Sequence, residues 1–265
     1  MNERPLDRLL DIMRRLRDPK GGCPWDLTQD YASLAPYTLE EACEVVDALE
    51  SGASGDLRDE LGDLLFQIVF LSQLASEDGR FVFDDVARAI GDKLVQRHPH
   101  VFGSDAALES SASVLHQWEA RKAEERRERG LQGVLSGVPL SLPALVRASK
   151  LGKRAARVGF DWPDATGARR KVDEELAELD AELVRDAATR DEAAIDEELG
   201  DVLFSVVSWA RLLGRDPERV LRAANRKFEQ RFAAMEARAS ARGQSLPDLS
   251  PEAWDALWEA AKRAP

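Results

Sequence analysis

Residues 36–66 read PYTLEEACEVVDALESGASGDLRDELGDLLF, and this stretch decides the fold. Glu40, Glu41 and Glu44 precede a short Gly-containing break at Gly52 and Gly55, and Glu60 and Asp63 follow it. With 3.6 residues per turn, the first three acids fall within about a 100° arc of one helix, and the last two share a face of the next. A short Gly-rich connection folds two such helices back antiparallel, which brings the acidic faces together. Strand-like alternation of β-branched residues is nearly absent, here and elsewhere along the chain.

The stretch is written twice. Glu40-Glu41-Ala-Cys-Glu44 returns as Glu174-Glu175-Leu-Ala-Glu178, and Asp59-Glu60-Leu-Gly-Asp63-Leu-Leu-Phe66 returns as Glu197-Glu198-Leu-Gly-Asp201-Val-Leu-Phe204. Lys93 and Arg97 are matched by Lys227 and Arg231, Trp118 and Lys122 by Trp258 and Lys262, and Gly22-Cys-Pro-Trp25 by Gly159-Phe-Asp-Trp162. An internal repeat of this kind predicts an all-α protein of two tandem helical domains, each with an acidic helix hairpin. Helices are expected near 5–17, 36–50, 56–77, 83–97 and 112–128, then near 142–157, 167–185, 191–213, 216–240 and 250–263. The segment Gly130-Leu-Gln-Gly-Val-Leu-Ser-Gly-Val-Pro139 marks a linker over 130–141 between domains 1–129 and 142–265.

Duplication provides an internal control, because residues needed for shared chemistry should occur in both copies. His98, His100 and His116 all lie in the first half, with Phe232 opposite His98; Cys23 and Cys43 face Phe160 and Ala177. A nucleophilic, disulfide or zinc role for these residues is therefore set aside. The 265 residues carry 37 basic and 49 acidic side chains, a net −12, which disfavours a nucleic-acid partner and favours a cation. No apolar run approaches the ~20 residues needed to span a bilayer, and no secretory signal opens the sequence, so a soluble protein of the reducing cytoplasm is expected.

Simpler readings of the acids exist. Thr38 and Glu41 form a Thr-x-x-Glu capping box for a helix starting near residue 36, and Lys171 can pair with Glu175 one turn away. Yet no Lys or Arg occurs between Lys20 and Arg58, and Asp63 and Asp201 are expected as buried carboxylates in apolar helices, which is costly without a counter-charge. A divalent cation removes that cost. All-oxygen ligation suits Mg²⁺ first and Mn²⁺ second, and a di-iron site lacks its Glu-x-x-His pattern. Downstream, Lys93/Arg97 and Lys227/Arg231 each place two cations on one helical face, and Lys122 and Lys262 follow a tryptophan by one turn. A Mg²⁺-bridged di- or triphosphate uses all of these groups. No Gly-x-x-x-x-Gly-Lys loop is present. A helical nucleotide sensor and a phosphodiesterase are the alternatives.

The motifs Gly22-Cys-Pro-Trp-Asp26, Tyr37-x-x-Glu-Glu-x-x-Glu44, Glu60-Leu-Gly-Asp63, Arg97-His-Pro-His-Val-Phe102, Lys171-x-x-Glu-Glu-x-x-Glu178, Glu198-Leu-Gly-Asp-Val-Leu-Phe204, Asn225-x-Lys-Phe-x-x-Arg-Phe232 and Trp258-x-x-x-Lys262 together resemble the MazG-type nucleoside triphosphate pyrophosphohydrolases over essentially the whole chain. The resemblance implies an all-α, usually homodimeric enzyme that hydrolyses nucleoside triphosphates of many bases between the α and β phosphates, with Mg²⁺ required, in nucleotide-pool housekeeping or stress responses. It implies that Glu174, Glu175, Glu178, Glu198 and Asp201 bind metal and do the chemistry, and that Lys171, Lys227, Arg231, Trp258 and Lys262 contact the nucleotide. Such enzymes are usually credited with activity in the C-terminal domain. In this chain the N-terminal set, Glu40, Glu41, Glu44, Glu60, Asp63, Lys93, Arg97, Trp118 and Lys122, is equally complete.

Overall fold

A computed structural model describes residues 4–52, 54–103, 118, 121, 124–125, 130, 132–186 and 190–263. All regular structure among them is helical, and the chain divides into two compact units, Met1–Lys122 and Ala123–Pro265. No described helix is long and apolar enough to cross a membrane.

The first unit runs α1 (Pro5–Leu16), α2 (Pro24–Thr28), α3 (Tyr31–Ser51), α4 (Ser54–Glu77), α5 (Phe83–Arg97) and α6 (Pro99–Phe102). Helix α3 starts five residues before the expected position. Its cap is Asp30, whose Oδ1 accepts from the Ser33 N–H at 2.8 Å while the Ser33 hydroxyl accepts from the Asp30 N–H at 2.9 Å. Thr38 therefore caps nothing: it lies inside the helix and donates to the Leu34 carbonyl at 3.0 Å. Pro36 is tolerated in the helix at the loss of one backbone bond. The α3–α4 turn closes on Gly52, whose φ of 75° favours glycine, and Gly55 falls inside α4.

Met13, Leu34, Val69, Phe70 and Leu74 form the core of this unit, where α1 and α3 pack on α4. Beside it the nearly buried Arg17 guanidinium bonds Glu77 at 2.6 Å and the Gln29 carbonyl at 3.3 Å, and stacks 5.5 Å over Phe70. The end of α1 is thereby tied to α2 and α4.

The second unit runs α7 (Ala144–Ala156), α8 (Ala165–Leu183), α9 (Glu192–Leu212), α10 (Pro217–Ala241) and α11 (Pro251–Lys262), with a 3₁₀ turn at Leu246–Asp248. Asp164, Asp191, Asp216 and Ser250 cap four of these helices by accepting from backbone N–H groups of the first turn. Helices α8 and α9 form the second hairpin, joined by residues 184–191, and α7 packs on α9. A separate cluster of Met235, Ala239, Leu257 and Ala261 joins α10 to α11. Within the 130–141 segment Val138 is buried, and Arg154 bonds the Ser136 and Gly137 carbonyls.

Apart from the start of α3, the described helices match their expected bounds to within two residues. The short α2, α6 and 3₁₀ turn were not expected; each begins at or next to a proline in a segment too brief to show periodicity. The helix expected at 112–128 lies almost wholly outside the described residues, as does His116.

Candidate metal centre

Each hairpin brings three carboxylates together. Ligand oxygens of Glu41, Glu60 and Asp63 lie within 4.8 Å of one another, and those of Glu175, Glu198 and Asp201 do the same. Helix spacing positions them: Glu60 and Asp63 are three apart on α4, Glu198 and Asp201 three apart on α9, and the antiparallel partner supplies the remaining acid.

The other acids stand around these triads. Glu44 shares a hydrogen bond with Glu60, and Glu178 shares one with Glu175. Glu40 and Glu174 are exposed on the flank of the face, Glu174 held 2.7 Å from Lys171. Lys171 also reaches Glu175 at 2.8 Å. It is thus engaged inside the acidic cluster, one turn from the acids it neutralises, and this raises its own pKa above the ordinary lysine value, with Glu174 the larger cause.

Asp63 and Asp201 prove to be exposed, contrary to expectation. Helix α4 buries Gln67, Val69, Phe70, Ser72 and Leu74 but leaves Leu61, Leu65 and Ile68 open, so apolar neighbours in sequence do not mean burial at Asp63. The buried acid is Glu175, at 4% exposure.

Crowding shows in the protonation of the acids. Desolvation, followed by the nearby charges of Asp63 and Glu44, pushes Glu41 above its ordinary value, and the Gln67 amide beside it acts in the opposite sense. Desolvation and the hydrogen bond with Glu44 raise Glu60. In the second hairpin, desolvation and then Glu175 and Asp201 raise Glu198, while the hydrogen bond to Glu175 is the largest cause raising Glu178. No ion pair among the described residues reaches Glu41 or Glu60, whereas in the second triad Lys171 pairs with Glu175. Three oxygen-only donors this close, repelling one another and short of cations, suit a hard divalent ion at ~2.0–2.6 Å from each ligand.

The basic set forms its own pattern in each unit. The Arg97 guanidinium lies 5.9 Å from the Trp118 ring centroid, and Arg231 lies 5.8 Å from that of Trp258. Phe228 packs against Trp258 at 5.6 Å, and Lys262 pairs with Glu259. Lys227 is exposed and Lys93 half-buried; Lys122 lies outside the described residues. No ion pair among the described residues joins Lys227 or Arg231 to the second triad. Sequence spacing had paired each tryptophan with the lysine one turn on, and it missed the arginine from another helix. It also missed Gln67, a polar residue one turn past Asp63 on an apolar helix, buried with its Oε1 unpartnered.

Comparison with known proteins agrees with this duplicated geometry. The MazG nucleotide pyrophosphohydrolase domain pattern matches residues 29–102 and again 168–234, spanning both hairpins. The chain is 50% identical over 258 residues to the nucleoside triphosphate pyrophosphohydrolase of Escherichia coli K12, covering 97% of each chain. It is 41% identical over 256 residues to the nucleoside triphosphate pyrophosphohydrolase/pyrophosphatase MazG of Thermotoga maritima, covering 97% of this chain and 95% of that one. A nucleoside triphosphate pyrophosphohydrolase of Mycolicibacterium smegmatis is 30% identical over 271 residues, 72% of its length. With two domain matches and such relatives along nearly its whole length, the chain belongs to the MazG nucleotide pyrophosphohydrolase family.

Proposed function

We propose that the protein is a Mg²⁺-dependent enzyme that hydrolyses nucleoside triphosphates of several bases at the α–β bond, giving a monophosphate and pyrophosphate. The observation that carries this reading is the carboxylate triad within 4.8 Å, present in both hairpins of a chain of this family. Glu175, Glu198 and Asp201 would hold the ion in the second unit, with Glu178 and Glu174 at its margin, and Glu41, Glu60 and Asp63 in the first, with Glu44 and Glu40. Mg²⁺, or Mn²⁺ in its place, supplies neutralisation of phosphate charge and an acidified water.

The side chains of the chain do the rest. Lys171, 2.8 Å from the buried Glu175 carboxylate, holds it in place. An ionised carboxylate of the cluster accepts a proton from the attacking water, and Lys227, Arg231 and Lys262 offset the charge that builds on the departing pyrophosphate. Trp258, under the Arg231 guanidinium, holds that cation in place; Lys93, Arg97, Trp118 and Lys122 take the same parts in the first unit. Exposed Leu61, Leu65 and Ile68 on α4 and Leu199, Leu203 and Val206 on α9 support burial of these hairpins in a homodimer. Cys23 and Cys43 are free thiols, in keeping with a reducing cytoplasm.

The test is pyrophosphate and monophosphate release from ATP, GTP, CTP and UTP with Mg²⁺, followed by ³¹P NMR. Asp201→Ala is expected to abolish turnover at the second triad, and Asp63→Ala, Asp201→Ala to abolish turnover altogether with the helices intact. Undiminished release in the double variant overturns the role given to the carboxylates.

A further inference from the structure

The two triads are held by different means. In the second, the Lys171 ammonium lies 2.7 Å from Glu174 and 2.8 Å from Glu175, the acid that α8 contributes. In the first, the repeat puts Tyr37 in that place, and its ring packs edge-on against Trp25 at 6.0 Å. The group beside Glu41 is instead the amide of Gln67, buried at 5% exposure one turn beyond Asp63 on α4, with its Oε1 unpartnered. Ser205 stands at the corresponding position of α9. A neutral amide beside Glu41 leaves the charge of the first triad intact, whereas the ammonium beside Glu175 offsets part of the second.

Three ionised carboxylates give the first triad a charge of −3, and three carboxylates with Lys171 give the second −2. A bare divalent cation is therefore drawn more strongly to the first. A divalent cation already bound by a triphosphate carries net negative charge, and for that ligand the order reverses, because Lys171 attracts what the carboxylates alone repel. On the assumption that the triads hold the divalent ion of nucleotide hydrolysis, as proposed above, we infer that Lys171 is a selectivity residue: it reserves the second triad for a cation carried by a triphosphate, while the first triad takes up the bare cation.

Burial gives the lysine this leverage. An i, i+4 ion pair on an open helix face has little influence on its surroundings. The Glu175 side chain is only 6% exposed, so a bare ion and the ammonium compete for the same sheltered oxygens. Even at the dielectric constant of water, a unit charge about 6 Å from a divalent ion alters its affinity about tenfold. A triphosphate relieves the competition, since its oxygens offer the ammonium a second anionic partner. In the first hairpin nothing among the described residues competes in this way, and an ion there bridges α3 to α4 through Glu41, Glu60 and Asp63 before any nucleotide arrives.

Binding measurements on the full-length, chelated protein test this. Titration with Mn²⁺, followed by the electron paramagnetic resonance of the free ion, is expected to show two classes of site, the weaker by about tenfold. Asp63→Ala should remove the tighter class and Asp201→Ala the weaker. Lys171→Met should tighten bare Mn²⁺ at the second triad about tenfold and weaken binding of the Mg²⁺ complex of α,β-methylene-ATP, measured by equilibrium dialysis. These changes have opposite signs, whereas a structural defect weakens both ligands. Lys171→Arg, which keeps the charge, should leave both within about threefold of wild type. In the other hairpin, Tyr37→Lys should weaken the tighter class, an arm that does not depend on how well Lys171→Met folds. A single class of equal sites, a tighter class that survives Asp63→Ala, or a Lys171→Met variant in which both ligands move the same way overturns the inference. A wild-type protein that releases no pyrophosphate refutes the hydrolytic reading instead, and the Mn²⁺ ranking is read without turnover.

Discussion

Lys171→Met isolates the charge balance of the second triad. Glu175 has a side chain only 6% exposed, and the Lys171 ammonium, 2.8 Å away and 32% exposed, is the cation that neutralises it. Leaving a buried carboxylate unpaired costs about 3–5 kcal/mol. Partial exposure of Lys171 and the hydrogen bond between Glu175 and Glu178 soften this, so a loss of about 1–3 kcal/mol is expected in the chelated protein, or about 4–10 °C in the melting temperature of a domain this size. A divalent ion bound at the triad provides the missing positive charge, and the difference between variant and wild type should then shrink to within about 0.5 kcal/mol. Urea and thermal unfolding followed by circular dichroism, in EDTA and in saturating Mg²⁺, measure both quantities. The first hairpin supplies the control: Tyr37 occupies the place of Lys171, and Tyr37→Lys should stabilise the chelated protein. A loss in Lys171→Met that is the same with and without Mg²⁺, or absent in EDTA, refutes the idea that lysine and metal answer the same charge.

Two further predictions rest on other parts of the molecule. The Arg211 guanidinium holds Asp161 below its ordinary pKa of 3.8, so the contribution of the pair is complete above that pH and disappears as the pH falls through the depressed value. Asp161→Asn should therefore cost about 1–2 kcal/mol at pH 7 and converge on wild type in acid, read from urea midpoints across pH. At Gly22 an added Cβ would lie 2.3 Å from the Leu16 carbonyl oxygen and 2.7 Å from that of Asp18, both backbone atoms. Gly22→Ala should cost about 3 kcal/mol, whereas Gly62→Ala, with nothing within 4 Å in the middle of α4, should gain about 0.5–1 kcal/mol in the same assay.

What could be read from sequence follows the physics of each signal. Helix ends carry local marks, such as Asp164, Asp191 and Pro217, and so were placed closely. The start of α3 was misplaced because Pro36 and Thr38-x-x-Glu41 imitate a helix start that Asp30 and Ser33 actually provide. The repeat exposed all ten acids, but a single helix cannot tell which of Glu40, Glu41 and Glu44 meets the facing helix; that depends on the register between helices. Burial was misjudged at Asp63 and Asp201 for a related reason, since apolar neighbours in sequence include residues on the open side. The Arg231–Trp258 and Arg97–Trp118 pairs join separate helices and leave no spacing to find.

The two hairpins differ in how they turn. In the first, α3 and α4 are separated by residues 52–53 alone, with Gly52 in a left-handed conformation. An insertion there would rotate one acidic face against the other by about 100° per residue if the helix absorbed it. In the second, residues 184–191 lie between α8 and α9, and lengthening a loop of that kind changes closure entropy by only about 0.6 kcal/mol per doubling. The later copy can thus accept grafted segments at its tip, for an affinity tag or a reporter, with its ligand geometry undisturbed, whereas the earlier one is closed to such engineering.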